Sequence, residues 1–368
     1  MGEIFSNPLD LLWPALALLS LALLLLLWCF RRRWQGVLPP REEVPVPWSG
    51  MELLAALFLG FYLIPIELQA LLNLVGFFPW LYGPPPAAYL AAFAAAPDAA
   101  FPAGVPWGPL VLSVERGPVE VARRAMWVNL LAFPLQMLLV PLFLRIVSGT
   151  RLRELGLDRR FLGRNLLAGL LGWLLITPLA YTIQQVAQHF LQGPPETHAL
   201  TKVAQHPEVP IEGPVIALVA VIVAPLWEEL LFRGVLQRWL ARQAWGGAAA
   251  VAACWLLALL HGADDIAAGW RSGYLVGAVR AAAPLLFVMA MTAGFVLLHW
   301  TWRSPAADAV YGTALFFAIG HSAWPQPLAL FVLGLGLGWL AQRTQSLAGP
   351  MLMHALFNAV ACLWLLVS

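Results

Sequence analysis

The sequence predicts an all-α protein, a polytopic transmembrane helical bundle with about eight to ten spans. First, 61% of the residues are hydrophobic and only 11% are charged, whereas a soluble domain carries about 25% charged residues. Second, the apolar residues fall in runs of about 20, the length that a helix needs to cross a bilayer. Third, the runs lack the alternation over about 10 residues that marks the strands of a transmembrane barrel. We therefore expect a multi-pass protein of the cell membrane, surrounded by membrane lipids.

The apolar runs place the spans in chain order. They lie near 11–30, 51–80, 126–148, 165–190, 214–237, 247–261, 281–300, 306–322, 327–342 and 350–367. The first run is followed by Arg31, Arg32 and Arg33 instead of a small-residue cleavage site. It is interpreted as a retained span whose C-terminal end lies in the cytoplasm, because short basic flanks stay inside.

The chain is divided here into a peripheral part and a core. Residues 1–148 hold the N-terminal spans and an external loop at 81–125 that is rich in Pro and Ala, and residues 150–366 form the core. A net charge of +2 gives no reason to expect nucleic acid as a partner. The three cysteines lie in apolar runs without metal-ligand spacing, so no disulfide framework is implied.

Two adjacent carboxylates, Glu228 and Glu229, stand within the apolar run 214–237. A charged group at the bilayer centre costs about 2.5–3.5 kcal/mol, so an intramembrane acid is a functional candidate by default. Glu229 and Arg233 are four residues apart and can pair on one helical face. Glu228 lies about 100° round the helix, where Arg233 neutralises it less, and this suits a general base. The alternative is a structural pairing of both acids with Arg233 and Arg238.

Two histidines lie in later apolar runs. Phe317 and His321 are four residues apart, so the aromatic ring packs beneath the imidazole and fixes its rotamer. His354 and Asn358 repeat this spacing and bring together two hydrogen-bond donors. A buried histidine with a backbone partner, or a polar contact between helices, explains each motif taken singly. Three such motifs in separate apolar helices favour one shared site.

The order and spacing of these motifs resemble the CPBP family, the type II CAAX-processing and bacteriocin-processing intramembrane proteases. The matching motifs are Glu-Glu-x-x-x-Arg at 228–233, Phe-x-x-x-His at 317–321 and His-x-x-x-Asn at 354–358. The flanking residues at 232–237 and 338–347 agree as well, and the resemblance covers roughly 150–366.

The resemblance implies roles for these residues. Glu228 and His321 would activate a water for attack on a peptide carbonyl, and His354 and Asn358 would donate to the oxyanion. Glu229 and Arg233 would support the site, and Phe317 would pack against His321. The family is regarded as independent of metal ions and cofactors, and its substrate is a membrane-associated peptide or protein, lipidated or not.

One departure from the family is an apparent inserted helical pair near 247–300. Because two added helices cross the membrane and return, the helix that carries His321 still approaches the core from the same side. The alternative histidine His261, at Leu257-Ala-Leu-Leu-His261, lies nearer the first motif but lacks the aromatic residue.

Other functions stay open. A non-proteolytic membrane binding or scaffold protein could use the same polar residues to hold a partner. A zinc-dependent hydrolase could ligate its metal with one glutamate and two histidines. A proton-coupled transporter ranks last, because transporters often show inverted repeats and the sequence has none.

Overall fold

The structure is a computed structural model that describes residues 12–29, 41–82, 117–190, 199–271, 275–321 and 325–367. This part of the chain is helical and contains no strand, which confirms the all-α class. The helices are α1 (Leu12–Cys29), α2 (Gly50–Leu74), α3 (Phe77–Tyr82), α4 (Gly117–Ser148), α5 (Leu162–Phe190), α6 (Ala199–Gln205), α7 (Glu212–Leu240), α8 (Gly246–Arg271), α9 (Leu275–Trp302), α10 (Pro305–Ile319), α11 (Gln326–Thr344) and α12 (Ala348–Val367).

Five helices of the described part are long and apolar enough to cross a membrane. They are Gly50–Leu74, Val119–Ser148, Leu162–His189, Glu212–Leu240 and Ala282–Trp302. Shorter apolar helices cover Leu12–Leu26, Gly246–Leu260, Pro305–Ile319 and Ala348–Leu363. The chain is thus a polytopic integral membrane protein, and the total of about eight to ten spans stays a prediction.

Two predicted spans end earlier in the structure. The expected span 51–80 stops at Leu74, because Gly76 adopts a φ of 70° and a new short helix begins at Phe77. The expected span 306–322 stops at Ile319, and Gly320, which follows, is unfavourable in a helix interior. Residues 30–40, residues 83–116 of the predicted loop, and the side chain of His261 lie outside the described part.

The chain forms two compact units. One contains Met1–Leu53, Ser148–Glu196 and Glu228–Phe357, and the other contains Leu54–Val147, Thr197–Trp227 and Asn358–Ser368. Both α7 and α12 continue from one unit into the other. The assignment of 1–148 and 150–366 as a peripheral part and a core stays a prediction.

Small residues allow the helices of the first unit to pack closely. A Cβ added at Gly312 of α10 would come within 2.8 Å of the Cβ of Ala250 in α8. A Cβ added at Gly334 of α11 would come within 3.0 Å of the backbone of Ala314 in α10. Membrane helices use such positions to approach each other, because lipid gives little hydrophobic drive for their association. Helix α10 is therefore packed closely between α8 and α11.

A buried ion cluster fastens the second unit. The Arg123 side chain of α4 is only 2% exposed, and its Nε donates to Glu212 Oε1 at 2.6 Å. Its Nη1 lies 2.8 Å from Glu208 Oε1, and its Nη2 donates to the carbonyl of His206 at 2.7 Å. The Tyr82 hydroxyl donates to Glu212 Oε1 at 2.8 Å, and burial raises the pKa of this phenol, so it stays a neutral donor. The cluster joins the start of α7 to α4.

We predict unequal effects of removing two of the three acids that pair with Arg123, Glu212 and Glu208. Glu212 is fully buried, so Glu212→Gln leaves Arg123 with a poorly compensated buried charge and should lower the free energy of unfolding by about 3 kcal/mol. Glu208 is 53% exposed, so Glu208→Gln should cost about 1 kcal/mol or less. Denaturation with sodium dodecyl sulfate in mixed micelles measures both. Equal losses in the two variants would contradict the assigned role of Glu212.

Candidate active site

Helix α7 supplies the first three candidate residues, Glu228 and Glu229 just before a widened stretch of helix and Arg233 within it. Leu230–Leu236, which follows Glu229 directly, has π-helical hydrogen bonding. Such segments are rare in proteins and occur frequently at functional sites. Gly234 allows this stretch to pack closely, because an added Cβ would come within 2.9 Å of the carbonyl oxygen of Leu155.

Glu229 and Arg233 form the intrahelical pair that their spacing predicts. Arg233 Nη1 lies 2.9 Å from Glu229 Oε1, and neither side chain has any exposed surface. The guanidinium carbon of Arg233 lies 4.5 Å from the centre of the Phe317 ring. A buried charge needs an opposite charge and further hydrogen-bond partners. This pair therefore has a structural task inside the first unit.

The partners of Arg233 continue onto α11. Arg233 Nη2 lies 3.5 Å from the carbonyl oxygen of Gly334, and Gln237 Nε2 donates to the carbonyl of Gly338 at 2.9 Å. The two contacts are four residues apart on each helix, so α7 and α11 meet along one row of polar contacts. Sequence reasoning missed Gln237. Its position four residues after Arg233 in an apolar helix is the feature of the sequence that could have identified it as a partner in this contact.

His321 lies just beyond the C-terminal end of α10. Its Nδ1 is 2.8 Å from the carbonyl oxygen of Phe317, and the two rings are 4.8 Å apart. The predicted contact with Phe317 is present, but a backbone turn after Ile319 produces it instead of a continuous helical face. Because a carbonyl only accepts, Nδ1 carries the proton and Nε2 of the neutral ring is an acceptor.

His354 on α12 is buried beside both carboxylates. Its Nδ1 is 2.9 Å from Glu229 Oε1, and its Nε2 is 3.8 Å from Glu228 Oε2. Phe317 packs edge-on against it at a ring-centre distance of 5.6 Å. Glu229 therefore holds His354 and Arg233 at the same time, which fixes the orientation of the imidazole.

Glu228 stands between the two imidazoles. Its Oε2 is 4.0 Å from Nε2 of His321 and 3.8 Å from Nε2 of His354. These separations are too long for a direct hydrogen bond but are within the reach of one bridging water. The Glu228 and His321 side chains are 20% and 25% exposed, unlike the fully buried Glu229. The two adjacent acids thus occupy different environments, and Glu228, His321 and His354 are brought together.

Asn358 belongs to the second compact unit. Its Nδ2 donates to the carbonyl of Ala220 in α7 at 2.8 Å. Its expected role as an oxyanion donor stays a prediction. Among the residues whose side chains are described, no group of three or more His, Cys, Asp or Glu has the arrangement of a metal site.

Comparison with known proteins adds the family. The model of the type II CAAX prenyl endopeptidase Rce1-like family matches residues 210–306 and 292–360, which together make up about two-fifths of the chain. These residues include Glu228, His321, His354 and Asn358. No curated protein and no solved structure matches the chain. Residues 210–360 of the chain are therefore similar to the Rce1-like family of type II CAAX prenyl endopeptidases, which are peptide hydrolases.

Proposed function

We propose that this protein is an intramembrane endopeptidase of the cell membrane that hydrolyses a peptide bond with a water activated by Glu228 and His321. The observation that carries the proposal is the placement of Glu228 Oε2 between two imidazole nitrogens, at 4.0 and 3.8 Å. Such a group suits water activation, because a base and an orienting acceptor face the same small space.

The tautomer of His321 supports this division of tasks. With its Nδ1 proton directed to Phe317, the neutral imidazole offers a lone pair at Nε2. A water can then donate one hydrogen to Glu228 and the other to His321. Glu228 takes the first proton as the water oxygen attacks the peptide carbonyl, and it later gives that proton to the leaving amine. His321 orients the water by accepting its second O–H at Nε2.

His354 and Asn358 are proposed to stabilise the oxyanion, as the family resemblance implies. His354 already directs Nδ1 to Glu229, so it donates through Nε2 only as the imidazolium. A charged donor to an oxyanion is stronger than a neutral one. The substrate we propose is a membrane-associated peptide with a CAAX-type C-terminus, lipidated or not.

We predict that Glu228→Gln lowers the rate of peptide cleavage at least about 100-fold, because it removes the base. The free energy of unfolding should change by no more than about 0.5 kcal/mol, since Glu228 has no charged partner closer than 3.8 Å. Release of the C-terminal fragment from farnesylated and unfarnesylated CAAX peptides in proteoliposomes measures the rate.

The control for Glu228 is Glu43→Gln, because Glu43 is an exposed acid that pairs with Arg242. This variant should cleave at the wild-type rate. Cleavage by Glu228→Gln at more than half that rate would refute the assigned base. Activity lost on chelation and restored by zinc, with zinc bound to the purified protein, would support the metal-dependent alternative instead.

The neighbouring acid should behave in the opposite way. Glu229→Gln removes the charge that compensates Arg233 and His354, so we predict a loss of about 3 kcal/mol in the free energy of unfolding. Unfolding in mixed micelles, compared directly with Glu228→Gln, measures the difference. If both variants are equally stable, the two carboxylates do not have separate tasks.

Substrates can be sought without assuming their chemistry. Membrane peptides from cells that produce the wild-type protein should contain fragments that are missing from cells with Glu228→Gln. If the two peptide sets are identical, while partner capture persists in both, the non-proteolytic scaffold function is favoured.

A further inference from the structure

Two helices of the second unit share one backbone irregularity. In α2 the stretch Leu59–Leu63 is π-helical, and the N–H of Ile64 bonds back to the carbonyl of Leu59. In α7 the stretch Val219–Val223 is π-helical, and the N–H of Ala224 bonds back to the carbonyl of Val219. At this point the backbone hydrogen bonds of each helix therefore join residues five apart instead of the usual four.

A proline follows each irregularity. If the next backbone hydrogen bond also joined residues five apart, the N–H of residue 65 would donate to the carbonyl of Gly60. In the same way, the N–H of residue 225 would donate to the carbonyl of Ala220. Both residues are prolines and have no N–H. Each helix thus exposes one carbonyl that its own backbone does not satisfy, which is costly inside a membrane.

A carboxamide from another helix caps each carbonyl. Gln136 Nε2 donates to Gly60 at 2.9 Å, and Asn358 Nδ2 donates to Ala220 at 2.8 Å. Because the carbonyl only accepts, the amide nitrogen must face it in both cases. The arrangement of π turn, proline and carboxamide therefore occurs twice, once with a residue implicated in catalysis and once without.

We propose that Pro225 is a positioning residue for the reaction, because it keeps the Ala220 carbonyl open to hold the side-chain amide of Asn358. An amide nitrogen carries two N–H donors, and the bond to Ala220 uses one of them. Fixing this bond fixes the plane of the amide, so the second N–H is directed before substrate arrives. Oxyanion donors depend on such preorganisation. This inference rests on the proposed function, in which Asn358 donates to the oxyanion.

Replacement of the proline should release Asn358. Pro225→Ala restores an N–H that can bond to Ala220, and alanine is favourable in a helix interior, so the variant should fold. We expect kcat to fall about 10-fold with KM within about 2-fold, since a displaced donor loses part of the roughly 100- to 1,000-fold effect of an oxyanion donor. Protection of the new amide in hydrogen exchange shows independently that it has taken the carbonyl.

The double variant separates positioning from a general disturbance of α7. Asn358→Ala should lower kcat about 100-fold, and Pro225→Ala/Asn358→Ala should be no slower than Asn358→Ala alone. If the two losses multiply, or if Pro225→Ala keeps the wild-type kcat, the positioning role is overturned. The matched control is Pro65→Ala, which frees Gln136 in the same way and should leave kcat unchanged. An equal fall in this control would overturn the assignment as well.

The outcomes also distinguish this inference from the proposed function. If Glu228→Gln is inactive and Asn358→Ala is fully active, the hydrolysis proposal stands, while the donor role of Asn358 and the positioning role of Pro225 both fail. If both variants are fully active, the proposed function itself fails.

Discussion

The buried Glu229–Arg233 pair is the interaction on which the candidate site depends. Neither side chain reaches solvent, so each charge is stable only with the other and with the further contacts that it makes. Glu229 also contacts the imidazole of His354 on α12. Arg233 contacts the Phe317 ring on α10 and the Gly334 carbonyl on α11. One ion pair thereby ties three helices to α7. Its geometry fixes the position of Glu228, the residue immediately before Glu229.

The neighbouring acids show how a membrane protein can separate stability from chemistry within two residues. Glu229 has two partners at 2.9 Å, Arg233 and His354, and its charge stabilises the fold. Glu228 is partly exposed and has its nearest imidazole nitrogens at 3.8 and 4.0 Å, so its lone pairs are not consumed by the fold. A proposed base must keep that freedom in order to accept a proton from water. Its neighbour Glu229 provides it, because Glu229 and not Glu228 forms the direct ion pair with Arg233.

The sequence predicted contacts within single helices far better than contacts between them. The four-residue spacing gave the Glu229–Arg233 pair, and the apolar runs located the helices to within a few residues for most spans. The end of α10 before His321 and the π turns were missed, because both depend on backbone hydrogen bonding that periodicity does not encode. The bond from Glu229 to His354 joins residues 125 apart. The sequence predicted that the polar motifs share one site, because polar groups in lipid must find partners, but it did not predict this bond.

The capping of Gly60 and Ala220 follows from the same scarcity of partners. In water an interrupted helix can expose a carbonyl at little cost, but in hydrocarbon another part of the protein must supply the donor. Carboxamides suit this task because they donate twice without carrying charge. A capping amide therefore keeps a second N–H after it has satisfied the backbone, and it is already held by one bond. Asn358 can consequently serve the fold and the proposed reaction together, whereas Gln136, buried beside Gly60, serves the fold.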